Sequence, residues 1–152
     1  MKPLDSLLRD HLALKDLEPR HLQTISGCSS NAVFQAGKLL FREGGDADKF
    51  YLIRQGRVAL AITSPGKSPI TVDTVGEGEF LGWSWLFPPY RWRFDARALE
   101  AVHAFAFDGK CLREKCEKDH ELGYALMKIF SPLIIERLQA ARLQILDVYR
   151  KG

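Results

Sequence analysis

The stretch Leu81-Gly82-Trp83-Ser84-Trp85-Leu86-Phe87-Pro88-Pro89-Tyr90-Arg91-Trp92-Arg93-Phe94-Asp95-Ala96-Arg97-Ala98 holds all three tryptophans of the chain, and Arg91 and Arg93 flank the last of them. Guanidinium groups beside flat rings could recognise an anion or an aromatic ligand. The same rings could instead form the core of a small barrel, with Pro88-Pro89 stiffening a loop. If the segment is extended, neighbouring side chains point to opposite faces, so an inward Trp92 turns both arginines outward unless a bulge shifts the register.

A second group able to do chemistry is Cys111, Cys116 and His120. Cys116 and His120 stand at i and i+4, one face of a helix, where a metal ion is conceivable. Three donors make an incomplete set, and no metal is expected. The four histidines, His11, His21, His103 and His120, contain no His-x-His pair, which argues against a barrel metalloenzyme. Neither Gly-x-Ser-x-Gly nor Gly-x-x-x-x-Gly-Lys-Ser/Thr occurs, so no enzyme is expected. Asp46, Asp48, Glu77 and Glu79 read as solvated turn acids, and Cys28 as a small buried residue.

Composition bounds what such residues could serve. With 152 residues, 46% hydrophobic and 27% charged, the chain suits one globular domain with its own core. A surplus of 22 Lys+Arg over 19 Asp+Glu, formally +3, is too small to specify a nucleic acid or an anionic membrane. Three cysteines cannot all pair within the chain, the N-terminus lacks a secretory apolar core, and no apolar run is long enough to span a bilayer. A soluble protein of the reducing cytoplasm is expected.

The elements that must position these residues fall into three parts of a single domain: helices over 1–30, a β region over 31–109 and helices over 110–152. Leu4, Leu7, Leu8 and Leu12 carry one helical pattern, and Leu17, Leu22 and Ile25 a second, with Pro19 where a helix could begin. Phe50–Ile53, Val58–Thr63 and Ile70–Val75 read as strands. Ten of the twelve glycines fall between positions 27 and 109, a spacing that fits short strands joined by tight turns in a barrel or sandwich. Gln55-Gly56 is expected to close a hairpin, and Ser64–Pro69 to form an exposed loop. Beyond Asp108-Gly109 the helical period returns. Ser131-Pro132 either starts a new helix or kinks a continuous one. Ile134, Leu138, Ala141, Ile145 and Val148 alternate steps of four and three, a stripe that could pack on the barrel or meet a second helix.

The run Gly37-Lys38-Leu39-Leu40-Phe41-Arg42-Glu43-Gly44-Gly45-Asp46-Ala47-Asp48-Lys49-Phe50-Tyr51-Leu52-Ile53-Arg54-Gln55-Gly56-Arg57-Val58, continued by Gly76-Glu77-Gly78-Glu79-Phe80-Leu81-Gly82 and Ala96-Arg97-Ala98, closely resembles the cyclic-nucleotide-binding domain of Crp/Fnr-type bacterial regulators and of cyclic-nucleotide-dependent kinases and channels. The resemblance implies an α+β fold, an antiparallel β-roll or jelly-roll barrel (a double-stranded β-helix) flanked by N-terminal helices and a long C-terminal helix. It also implies a ligand cassette at Leu81, Gly82, Trp83, Ser84, Arg91, Trp92, Arg93 and Phe94, for cyclic AMP, cyclic GMP or another small ligand. In that family a glutamate takes the ribose hydroxyl and an arginine neutralises the phosphate. By the resemblance Trp83 stands at the glutamate position, Trp92 at the arginine and Arg93 at the following Ser/Thr. Either Arg91 or Arg93 serves from one residue off register, or the pocket is rebuilt around aromatic rings, or they fill it. The family's transcription factors append a helix-turn-helix, and none is expected after Tyr149-Arg150-Lys151-Gly152. The expected function is a cytoplasmic ligand-sensing regulatory domain that signals through its C-terminal helix, by a joint at Ser131-Pro132, to a protein partner or a homodimer seam on Ile134, Leu138, Ala141, Ile145 and Val148. The alternative is a constitutive interaction module with a tryptophan-filled pocket and no nucleotide.

Overall fold

Proline has a fixed φ and no N–H to lose, which suits the first helical turn, and Pro19 does open helix α1, Pro19–Gly27. The computed structural model describes residues 14, 15 and 17–151; the helical pattern of Leu4, Leu7, Leu8 and Leu12 lies outside them. Eight strands follow: β1 Ser29–Phe34, β2 Leu39–Phe41, β3 Lys49–Gln55, β4 Val58–Ile62, β5 Ile70–Val75, β6 Phe80–Leu81, β7 Asp95–Ala98 and β8 Val102–Asp108. Two helices complete the chain, α2 Gly109–Lys118 and α3 His120–Lys151. Among the described residues no helix is long and apolar enough to cross a membrane.

The strands form two four-stranded antiparallel sheets, ordered β1-β8-β3-β6 and β2-β7-β4-β5, as a β-roll requires. This ordering corrects one expectation. Gln55-Gly56 does not close a hairpin, because β3 pairs with β8 and β6 while β4 pairs with β5 and β7. Gly56 is instead the corner where the chain leaves one sheet for the other. Its φ is +97°, and a β-carbon there would stand 2.4 Å from the Ala101 carbonyl oxygen. Only glycine fits so sharp a corner against a neighbouring backbone.

Phe50 organises the core. Its ring stacks on Phe107 and on Trp85, both with centroids 4.6 Å away, and takes the edge of Phe130 from α3 at 5.2 Å. Phe50, Tyr51, Leu52 and Ile53 are all buried, so the middle of β3 has no solvent face and reads as a continuous apolar run rather than an alternating one.

Helix α3 begins at Asp119, whose Oδ1 accepts the amides of Glu121 at 3.1 Å and Leu122 at 3.3 Å. Those bonds, that from Leu122 first, hold the Asp119 carboxyl below the usual carboxylate range. Leu122, Leu126, Ile129 and Phe130 bury this part of the helix in the core. The helix then runs through Pro132 to Lys151 without a break, so no new helix starts at Ser131. The buried residues just ahead hold the axis where proline removes one hydrogen bond.

Candidate functional site

The cassette links β6 to β7, and its path is set by backbone bonds to the β2–β3 loop. The Trp92 amide donates to Gly45 O at 3.0 Å, Gly44 N donates to Trp92 O at 2.8 Å, and Ala47 N donates to Tyr90 O at 2.8 Å. Gly82 leaves β6 with φ +96°, a short 3₁₀ turn covers Ser84–Leu86, and the Pro88-Pro89 peptide is cis. The Arg113 guanidinium of α2 anchors the other side. It donates to Trp85 O at 2.7 Å and Ala47 O at 3.1 Å, lies 3.3 Å from Asp48 Oδ1, and covers the Tyr90 ring at 4.1 Å. Two backbone carbonyls, a carboxylate and a ring on one fork make this a rigid clamp.

These bonds decide where each candidate residue goes. Trp92 turns inward, only 4% exposed, and stacks face to face on Phe41 with centroids 3.7 Å apart and planes 10° from parallel. Its far edge presses on Gly82, where a β-carbon would lie 2.7 Å from Cη2. Phe94, half-buried, leans on the same Phe41 ring at 5.6 Å. Leu81 and Ser84 are buried. Trp85 is fully buried against Phe50, and its Nε1 has no hydrogen-bond partner among the described residues. Arg91 and Arg93, in the irregular segment ahead of β7, are both exposed. Arg91 is committed to an ion pair with Asp46 on the outer surface.

Trp83 takes a different position. It is half-buried, and the guanidinium of Arg137 from α3 lies 5.4 Å from its ring centroid. Arg137 also pairs with Asp73 of β5. One arginine thus joins the cassette, a strand and the long helix.

The stripe along α3 leaves the roll. Ile134 is half-buried, whereas Leu138, Ala141, Ile145 and Val148 are exposed. Tyr124 and Met127, 67% and 39% exposed, continue the same alternation of steps toward the helix start. No local spacing ties Phe41, Arg113 or Arg137 to the cassette, or Asp73 to Arg137, so these contacts have no signature in the sequence.

Cys111, Cys116 and His120 do not come together as a ligand set. Cys111 Sγ lies 3.5 Å from Cys28 Sγ, with Lys115 Nζ 3.6 Å from the latter. Cys116 packs beside Gly123. Burial pushes the Cys28 thiol above its usual range. Burial, then Glu117 and Asp119, push Cys116 up to about 11, so it stays a thiol at neutral pH.

The family model of the cyclic nucleotide-binding domain matches residues 32–119, more than half of the chain. A structure from Geobacter metallireducens assigned as a cyclic nucleotide-binding protein is 30% identical with a TM-score of 0.80, over 91% of this chain and 99% of that one. The regulatory domain of Toxoplasma gondii PKA, solved with cAMP, shares the fold at 20% identity and a TM-score of 0.64, over 73% of this chain and 42% of that one. In sequence, lysophospholipase nte1 of Aspergillus fumigatus is 32% identical over 69 residues, which is 45% of this chain and 4% of that much longer protein.

Proposed function

Because the chain belongs to the cyclic nucleotide-binding domain family, we propose that it is a cytoplasmic regulatory domain whose output surface is α3 and whose nucleotide pocket is closed by Trp92. The observation that carries this reading is the packing of that ring. Trp92 fills the space between Phe41 and Gly82 at the position where the family resemblance would set a phosphate arginine. An indole there offers no charge to a phosphate, and the two nearby arginines face away. The output surface is the apolar stripe Ile134, Leu138, Ala141, Ile145 and Val148, and its partner is a second copy of the chain or another protein with a matching helix. The three free thiols suit a reducing compartment.

A thermal-shift measurement with cyclic AMP and cyclic GMP tests the closed pocket. A ligand at a hundred times its dissociation constant adds about 2.7 kcal/mol, or roughly 5–10 °C for a chain of this size. Neither nucleotide is expected to produce such a shift. A shift of that size would mean that the ring swings out, and the ligand-sensing reading would replace this one. That second reading has one observation in its favour: the contact of Trp83 with Arg137 gives a ligand that displaces Trp83 a direct lever on α3.

The stripe is tested by sedimentation. Leu138 is half exposed at the centre of the seam, so Leu138→Glu is expected to convert an associated species into a monomer while leaving the folded roll intact. An unchanged oligomeric state in the variant would remove the stripe from the mechanism.

A further inference from the structure

A groove of about 690 Å³ runs between α1 and the start of α3, and at its floor His21 is 95% buried, being 5% exposed. Its Nε2 has no hydrogen-bond partner among the described residues, an uncommon state for a buried imidazole nitrogen. Around it stand Glu18 at the N-cap of α1 and Glu121 in the first turn of α3, and one ligand atom from each of the three lies within 4.8 Å of the others. Asp119 Oδ2 is 3.9 Å from the same imidazole nitrogen, its other oxygen being spent on the α3 cap.

We propose that Glu18, His21 and Glu121 bind a divalent transition-metal ion of zinc type, which ties α1 to the base of α3. An imidazole nitrogen with carboxylate oxygens is a donor set for zinc and its neighbours, and not for the oxygen-only preferences of calcium or magnesium. Charge favours a cation. Glu18, Asp119 and Glu121 contribute three negative charges, against Arg20 among them and Lys128 on the groove wall.

Arg20 is the resident cation. It donates to Glu18 at 2.9 Å and Asp119 at 2.9 Å, and pairs with Glu121. Its side chain is 51% exposed, so it is free to swing into water when a metal ion takes the carboxylates. Bonds of about 2.0 Å in a tetrahedron set ligand atoms about 3.3 Å apart, so donors that lie within 4.8 Å of one another must close in by at most about 1.5 Å. Glu18 and Glu121, 62% and 74% exposed, can do so by side-chain rotation alone. Asp119 or a water would complete the sphere.

The test is calorimetric titration of the chelator-treated full chain with zinc chloride, and of cobalt(II) chloride by visible absorption. The expected result is one site in the wild type, weakened by more than roughly tenfold in both His21→Gln and Glu121→Gln. Glu121 is exposed, so its variant decides the matter even if the His21 variant fails to fold. An absent zinc isotherm in the wild type, or an unchanged one in Glu121→Gln, overturns the proposal. So does intense near-ultraviolet thiolate-to-cobalt absorption, which would put the metal on Cys28 and Cys111 instead.

Discussion

Trp92→Ala is expected to lower the free energy of unfolding by about 3–5 kcal/mol, read as a fall in the urea midpoint at unchanged slope. The residue is buried, its ring lies flat on Phe41, and its edge fills the hollow over Gly82. The stacked pair alone is worth roughly 0.5–1.5 kcal/mol beyond area burial, and the rest is lost transfer energy plus the cavity left behind. That cavity should persist. The backbone at Trp92 is held by Gly44 and Gly45 irrespective of its side chain, and Arg113 holds the neighbouring turn. An apolar hole with fixed walls accepts an apolar guest, so indole is expected to raise the melting temperature of the variant and to leave the wild type unaffected. A loss of less than about 1 kcal/mol, or equal indole effects on both proteins, would mean that the ring does not fill a preformed pocket.

Gly82→Ala should destabilise by roughly 2–5 kcal/mol, from two separable causes. The φ of +96° is a conformation that an L-residue adopts only under strain, and the new methyl would meet Trp92 at 2.7 Å from Cη2 and 2.9 Å from Cζ3. Removing the ring removes the second cause only. In the Trp92→Ala background the same substitution should therefore cost about 1–3 kcal/mol, and the double-mutant cycle should be less than additive. Additivity within about 0.5 kcal/mol would show that the ring and the glycine are not in contact. The pair explains why this position has no side chain: a β-carbon at Gly82 would occupy the space that the Trp92 ring fills.

Much of this architecture is legible in the amino-acid order. Short apolar runs between turn-forming glycines point to a barrel or sandwich, and the family resemblance narrows that to a β-roll; Phe50–Ile53 and Ile70–Val75 fall in strands, and the expected Val58–Thr63 does so except for Thr63, which lies past the end of β4. The start of α1 at Pro19 follows from proline's lack of an N–H. Arg91 and Arg93 do stand outward while Trp92 is buried, although this segment is a lone bridge and a bend rather than a strand. The error at Gly56 likewise concerns strand pairing. A glycine between two apolar runs signals a sharp reversal, but whether the strands on either side pair with each other or with distant partners is decided by the other strands of the roll.

The sequence by itself determined the fold class and the periodicity of most elements, because these depend on residue type and on spacings of a few positions. Only the tertiary structure decided that Trp92 is a lid on Phe41, that Arg113 and Arg137 fasten the cassette to α2 and α3, and that His21 faces acids from the far end of the chain. Each of those contacts joins residues with no local relation in the chain. Arg20 and Glu121 are 101 positions apart and Arg137 and Asp73 are 64 apart, and separations of that size are closed by the packing of a whole core rather than by any pattern along the chain.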